Sequence, residues 1–240
     1  MNDELFTYRV IDGREGFTSS LSAICQLRYQ VYVDECGFER PEDHPGGLER
    51  DEYDQHSIHF YACPKHSDDV VGAARIILGS ERPLPIERHF DINQLPSGVR
   101  REQAAEISRL AVSKKFRCHA IDRAIYRTKQ IAAKHMHLSM ENDLDFRRHC
   151  ERELVRGLYI NAFRISKDSG LTHLYAVMAK GLYVILKRWG IFFVQVGPEK
   201  DYHGIRAPYL VSLESIAHSW EKMHPELYRE AHNGLAHQFA

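Results

Sequence analysis

The chain has 240 residues, 43% hydrophobic and 27% charged, and a net charge of -1. This composition is typical of a globular α/β or α+β domain with one substantial core, and it excludes a global charge field for binding nucleic acid. No apolar run approaches the roughly 20 residues that span a bilayer, and the acidic opening MNDELFTYRV lacks the apolar segment of a secretory signal. Five cysteines without a CxxC pair indicate reduced thiols. We therefore expect a cytoplasmic protein.

Hydrophobic periodicity predicts the elements of the first half of the chain. In order, they are a strand at 6–11, a helix at 17–32, strands at 58–63 and 70–78, a connecting segment at 83–96 and a strand at 105–112. The segment 34–54 is rich in Gly, Pro and acidic residues and is long for a plain loop, which is typical of a functional or mobile loop.

In the second half, uneven helical periodicity follows residue 117, and the polar stretch 139–148 indicates an exposed connection. The further elements are a helix at 151–169, a strand at 171–178, a helix at 179–189 ended by Gly190, and strands at 191–196 and 206–213. Alternating strands and helices predict one mixed central sheet flanked by helices. We therefore expect a single domain over 1–215 and a C-terminal helical tail over 216–240.

The stretch AAEISRLAVSKKFR, residues 104–117, combines a core strand with charged side chains. Glu106 and Arg109 lie within its apolar part, and burying a carboxylate and a guanidinium is costly unless they are paired or used. A basic turn follows directly. This strand is where we expect chemistry.

Three other clusters place charges on or beside elements that should be buried. They contain Arg28 in the first helix, Asp51 and Asp54 in the acidic loop, and Arg75 inside an apolar strand. Together with Glu106 and Arg109, these side chains predict one ion network. Two interpretations stay open: the network only ties the N-terminal helix and loop to the sheet, or it handles a substrate.

The order and spacing of these motifs resemble the acyl-homoserine lactone (autoinducer) synthases, a branch of the Gcn5-related N-acyltransferase (GNAT) superfamily. More closely still, the run over about 5–215 resembles the acyltransferases associated with the PEP-CTERM/exosortase system, which are related to N-acyl amino acid synthases. The motifs that carry the resemblance are RYQVYVDECGFE (28–39), DEYDQHSIH (51–59), VGAARII (71–77), LPIE (84–87), AEISRLAVSKKFR (105–117), GLYINAFRISKDSGLTHLYAVM (157–178) and HGIRAPYLVSL (203–213).

The resemblance implies a GNAT-like fold whose sheet splays between the strands at 105–112 and 172–178, with the pantetheine arm of an acyl thioester in the splay. It implies that Glu106 is the general base and that Asp51 or Asp54 positions the amine. Arg109 and Arg75 would fix the carboxylates or hold a carboxylate of the acceptor, and the other implied substrate-binding residues are Arg28, Leu110, Ala111 and Val112. A backbone N–H within 110–112 would meet the oxyanion.

Two departures from the wider superfamily concern the donor and the leaving group. Cys118 stands where relatives that use acetyl-coenzyme A have a glycine of their pyrophosphate loop, and this favours an acyl carrier protein as donor. Leu186 stands where many relatives have a tyrosine that protonates the leaving thiolate, and Tyr183 is out of register.

A basic face is expected beside the pantetheine mouth. Residues 113–134 contain seven Lys or Arg against one acid, and an acidic carrier protein would dock there on Lys114, Lys115, Arg117, Arg123 and Arg127. A solvated helix face explains the charge count equally well.

We expect N-acyl transfer from a long-chain acyl-carrier thioester to a small amino acid or related amine. No permanently bound cofactor, metal site or nucleic-acid partner is predicted, and peripheral membrane contact is left open. The alternatives are a coenzyme A donor, a homoserine-lactone product made from S-adenosylmethionine, and a non-catalytic adaptor for a carrier protein or lipid.

Overall fold

A computed structural model of the protein describes residues 5–80, 82–92, 95–117 and 141–232, with the backbone alone for 141–147. The strands are β1 (Phe6–Asp12), β2 (Ser57–Pro64), β3 (Gly72–Leu78), β4 (Ala104–Val112), β5 (His173–Met178), β6 (Val194–Gln195), β7 (Lys200–Asp201) and β8 (Ile205–Ser212). The helices are α1 (Ser19–Tyr29), α2 (Pro85–His89), α3 (Glu141–Asp168), α4 (Lys180–Arg188), α5 (Leu213–Met223) and α6 (Pro225–His232).

The strands form one mixed sheet in the order β1-β2-β3-β4-β5-β8-β6, and β7 pairs with β8. Every pairing is antiparallel except β4 with β5, which run parallel. That parallel pairing covers only Ala104 with His173, Ala105 with Leu174 and Glu106 with Tyr175. Beyond these pairs the two strands separate. The predicted α/β fold with a sheet splayed between these two strands is confirmed.

Successive side chains of the central strands enter two apolar cores on opposite faces of the sheet, because side chains alternate along a strand. Ile76, Leu174 and Val211 pack in the larger core, which also holds the buried side of α3. Their neighbours Ile77, Tyr175 and Leu210 pack in the smaller core with α2. We call these the α3 face and the α2 face.

Helix α3 lies across β1, β2 and β3, and it approaches the edge of the sheet closely at Gly157. A Cβ atom at Gly157 would stand 2.0 Å from the hydroxyl of Tyr8. That hydroxyl donates to the Glu153 carbonyl at 3.0 Å. A larger residue at position 157 would therefore displace the Tyr8 side chain from this contact or move the helix away from β1.

Helices α5 and α6 add to the larger core. Ile216, Trp220 and Leu227 are buried there, and the Trp220 indole N–H donates to the Trp189 carbonyl at 2.7 Å. Among the described residues, no helix has the length and apolar character needed to cross a membrane.

The expected elements differ from the structure in three places. The predicted connection at 139–148 is wrong from residue 141, where α3 begins, because no Gly or Pro between 141 and 156 interrupts a helix. The strand expected at 191–196 is reduced to Val194–Gln195. The segment 83–96 contains α2, which starts at Pro85, a residue suited to the first helical turn.

Candidate active site

The separation of β4 from β5 opens a cavity of about 320 Å³. Its polar lining comes from the acidic loop, α2, β3, β4, the β7–β8 turn and the start of β8: Glu39, Asp51, Glu52, Arg75, His89, Glu106, Ser108, Arg109, His203 and Arg206. Its apolar lining comes mainly from β4, β5 and the helices: Ile86, Ile107, Leu110, Tyr159, Ala176, Met178 and Leu182. A cavity of this size with convergent polar groups is the expected form of a small-molecule site.

A β-bulge in β4 shapes the strand edge at the cavity. Ala73 pairs with Ala111 and Arg75 with Ser108, so that Arg109 and Leu110 together oppose Ala74. Arg109 has a φ of 53°, a conformation that costs energy for a non-glycine residue and often occurs at functional sites. The bulge interrupts the alternation of the strand and keeps both Arg109 and Leu110 on the cavity wall.

The side chain of Glu106 is buried at the α2-face side of the cavity, with 3% of its surface exposed. Burial raises the pKa of this carboxyl to about 7. Its Oε2 accepts the backbone N–H of Ile86 at 2.8 Å, and it forms no ion pair with another described residue. A carboxylate that is half protonated near neutral pH is suited to take a proton from a substrate.

Beside Glu106 lies an ion network of three arginines. Arg28 pairs with Glu49 and donates to Asp54 Oδ1 at 2.6 Å. Arg75 donates to Asp51 and to Asp54 at 2.6 Å each, and its Nε donates to Ser108 Oγ at 3.1 Å.

Arg109 completes this network at the cavity wall. Its Nη2 lies 3.0 Å from Glu49, 3.4 Å from Asp51 and 3.5 Å from Glu39. Burial alone would raise the pKa of Asp51, but Arg75 and Arg109 outweigh it and hold this pKa far below its ordinary value. Asp51 therefore stays ionised, whereas Glu106, on the wall of the same cavity, gains and loses its proton near neutral pH.

The network was predicted with one wrong member and one missing member. Glu106 was expected in it and stands apart, whereas Glu49 is a member that the sequence interpretation missed. Glu49 is fully buried and accepts from both Arg28 and Arg109. The available signal was charge balance, because the three arginines of the network need more carboxylates than Asp51 and Asp54 once Glu106 is set aside.

The predicted site residues divide into those on the cavity wall and those behind it. Asp51, Arg75, Glu106, Arg109 and Leu110 line the cavity. Arg28 and Asp54 are buried behind the wall, and Ala111 and Val112 are fully buried in the larger core. The residues that line the cavity can therefore contact a substrate directly, whereas the buried residues behind them support the wall.

The predicted carrier-binding residues also divide. Lys114 and Lys115 are exposed just after β4. Arg117 is buried and pairs with Glu35, so the expectation of an exposed Arg117 is wrong. Its position reflects a partner, Glu35, that lies 82 residues away in sequence. Arg123 and Arg127, and with them Cys118, lie outside the described residues.

Comparison with known proteins agrees with this architecture. Residues 27–127 match the family model described as an acetyltransferase (GNAT) domain. The chain has a GNAT acyltransferase fold. The matched segment covers less than half of the chain and contains Glu106 and all three network arginines. The search of curated proteins found no match to the chain.

Several solved structures share the GNAT fold over most of the chain. BjaI, a CoA-dependent acyl-homoserine lactone synthase solved with SAM and isopentyl-CoA, has a TM-score of 0.61 and 16% identity, covering 90% of this chain and 89% of that one. The AHL synthase LasI has a TM-score of 0.56 and 16% identity, covering 87% and 89%. FeeM, an N-acyl amino acid synthase from uncultured soil microbes, has a TM-score of 0.53 and 10% identity, covering 89% and 94%.

Proposed function

We propose that the protein is an N-acyltransferase that moves an acyl group from a thioester donor to the amine of a small amino acid or related acceptor. The observation that carries the proposal is the position of Glu106. It is a buried carboxyl with a pKa of about 7, and it faces the cavity where β4 and β5 separate. Proteins of this fold include BjaI, a CoA-dependent acyl-homoserine lactone synthase, and FeeM, an N-acyl amino acid synthase.

Glu106 acts as the general base. An ammonium group is not nucleophilic, so the acceptor must lose a proton to a group whose pKa is near the working pH. The neutral amine nitrogen then attacks the thioester carbonyl carbon, the C–S bond breaks, and the second proton of the nitrogen goes to the leaving thiolate. An amide and a free thiol remain, and protonated Glu106 returns its proton to solvent.

Asp51 attracts the acceptor. It stays ionised on the cavity wall, where its carboxylate is held by both Nη groups of Arg75 at 2.6 Å. Arg75 also donates to Ser108 and Asp54, so its role is to orient Asp51. Arg109, with a quarter of its side chain exposed, is the residue placed to hold an acceptor carboxylate.

The donor enters between the separated strands. The amides of a pantetheine arm find partners along the strand edge beyond the last β4–β5 pair, and Leu110 is the member of 110–112 that lines the cavity. A backbone N–H at or beside Leu110 stays the proposed oxyanion donor. The acyl chain lies against Ile107, Met178 and Leu182.

The narrower parts of the proposal concern the donor and the biological setting. Acyl carrier protein as donor is supported by exposed Lys114 and Lys115 and by Cys118 in place of a glycine. A long acyl chain and a relationship to the exosortase-associated acyltransferases are supported only by the motif resemblance, and the cytoplasmic location is a prediction.

The test is a matrix of donors and acceptors. Acyl-carrier protein and acyl-coenzyme A with matched chains of graded length are each combined with a panel of amino acids and with S-adenosylmethionine. Thiol release gives the rate, and mass spectrometry identifies the product. Glu106→Gln keeps the shape of the side chain but cannot accept the proton. Glu102→Gln, at an exposed position four residues earlier and just before β4, is the matched control.

We expect N-acyl product from the wild type and from Glu102→Gln, and at least a hundredfold slower turnover from Glu106→Gln, in the range of about 10²–10⁴-fold for loss of a general base. Equal rates for Glu106→Gln and the wild type would overturn the role of Glu106. Tight donor binding without thiol release in any combination would instead support the adaptor. Product from S-adenosylmethionine alone would identify a lactone synthase.

A further inference from the structure

A second, smaller cavity adjoins the active-site cavity on the α3 face. It has a volume of about 10 Å³, enough for one water-sized group, and its lining is apolar except for tyrosine and tryptophan. Ala162, Phe163, Leu174, Phe193 and Trp220 contribute to it. It therefore lies in the core between β5, α3 and α5.

Two residues line both cavities: Ile107 of β4 and Tyr159 of α3. Ile107 is the first residue of β4 after the last pair with β5, and its side chain points to the face opposite that of Glu106 because neighbouring strand residues alternate. The splay thus connects the acceptor side, on the α2 face, with this apolar region on the α3 face. Tyr159 stands on the far side of the opening.

The ring of Tyr159 is held in place by packing. It meets the Trp189 ring edge-on at a centroid distance of 6.2 Å. Its hydroxyl has no hydrogen bond to another described residue, and burial raises its pKa, so the side chain is a neutral apolar wall with one polar tip.

We propose that Tyr159 is a specificity-determining residue: its ring, together with Ile107, is the partition that ends the acyl site and sets the length of acyl chain the enzyme accepts. The inference rests on the proposed acyl transfer. An acyl chain whose carbonyl lies near Glu106 and the β4 bulge can pass Ile107 toward the Tyr159 ring, and these two residues separate the active-site cavity from the smaller one. Removing the ring joins the two cavities and lengthens the site.

The test compares Tyr159→Ala with Tyr159→Phe, which keeps the ring and removes only the hydroxyl. Both are assayed with saturated acyl thioesters from four to sixteen carbons. The chain length of highest kcat/KM should move upward in Tyr159→Ala, with a gain of about tenfold for each two further methylene groups buried, and it should stay unchanged in Tyr159→Phe. Ile107→Ala opens the same partition from β4 and should move the optimum in the same direction.

A binding measurement separates this inference from the proposed function. The thermal shift caused by free fatty acids of the same lengths should extend to longer chains in Tyr159→Ala and in Ile107→Ala, because binding to the folded state raises its stability. If the wild type transfers no acyl group, this series still tests the partition. Unchanged length profiles in both variants, in either assay, would overturn the inference. Ile107→Ala keeps the test decisive if Tyr159→Ala does not fold.

Discussion

The hydroxyl of Tyr32 donates a hydrogen bond of 2.8 Å to the carbonyl oxygen of Leu110, inside the β4 bulge. Tyr32 belongs to a π-helical turn, Gln30–Glu35, that continues α1 and turns this side chain toward the strand. The guanidinium of Arg109 lies over the same ring at 5.6 Å. One residue of the N-terminal helix therefore holds both members of the bulge.

Tyr32→Phe should lower kcat more than it raises KM, because the bulge would lose its anchor while the cavity keeps its shape. A neutral hydrogen bond contributes about 1 kcal/mol, so we expect a decrease of roughly five- to tenfold and a similar loss of stability. Steady-state kinetics and chemical unfolding measure the two effects. Tyr29→Phe, one helical turn earlier, is the control and should change neither; an unaltered kcat in Tyr32→Phe would refute the anchoring role.

The rate of acyl transfer should rise with pH through about 7, since Glu106 must be ionised to accept the proton of the amine and burial raises its pKa to about 7. The measurement is kcat/KM between pH 5.5 and 8.5 with a fixed donor. A rate that stays flat across this range, as the ordinary glutamate pKa of 4.5 would give, would contradict this assignment.

The same group makes stability depend on pH. The folded-state pKa of Glu106 is raised above its unfolded value of 4.5, so its stabilising contribution is complete below pH 4.5 and is lost as the pH rises through about 7. Glu106→Gln removes this loss of stability, because glutamine does not ionise. We expect the variant to gain roughly 3 kcal/mol on the wild type between pH 4.5 and 8, and urea unfolding at several pH values measures the difference. Parallel pH profiles for the two proteins would count against a buried, uncompensated carboxyl.

Asp54→Asn should destabilise the fold strongly. Asp54 Oδ1 accepts from Arg28 and from Arg75 at 2.6 Å each, and removing this charge leaves buried guanidinium groups uncompensated. Breaking such a pair costs about 3–5 kcal/mol. Glu52→Gln is the matched control, because Glu52 pairs with Arg82 and Arg88 at the half-exposed surface, where an ion pair contributes at most about 1 kcal/mol.

The difference between Asp54→Asn and the wild type should also depend on pH. Burial would raise the pKa of Asp54, but Arg28 and Arg75 lower it to about 2 from 3.8. The stability that this carboxylate contributes is therefore complete above pH 3.8 and is lost as the pH falls through about 2. A penalty for Asp54→Asn no larger than that for Glu52→Gln at pH 7 would show that the network contributes little.

Lys115→Glu tests the proposed donor. If an acidic carrier protein docks beside the end of β4, charge reversal should raise the KM for acyl-carrier protein several-fold, most strongly at low salt, and leave the KM for acyl-coenzyme A almost unchanged. Lys222→Glu, on the exposed side of α5, is the control. An equal effect of both variants, or none, would remove the support for carrier docking at this position.

The elements that were predicted well have strong local signals. Strands β2 to β5 and helix α4 have clear apolar periods or breakers such as Gly190, and β1 was predicted from a weaker alternation. The start of α3 was wrong, because a polar helical segment and a polar loop look alike in sequence. The short strand β6 was overestimated for a related reason: an apolar run does not show which of its residues find a hydrogen-bonding partner.

The sequence by itself determined the mixed α/β class and the charged residues of the candidate site, because periodicity and the presence of Arg and Asp in apolar elements are local properties. The position of the splay was predicted only through the resemblance to known acyltransferases. Tertiary structure alone decided which charges pair. Glu49 lies 60 residues from Arg109 yet accepts its hydrogen bond, while Glu106, only three residues from Arg109, is excluded from the network. The pKa of a carboxyl depends on its distances to charges and on its loss of water, and both are set by chain segments that meet only in the folded protein. For that reason the base of the proposed reaction became distinct from its neighbours only in three dimensions.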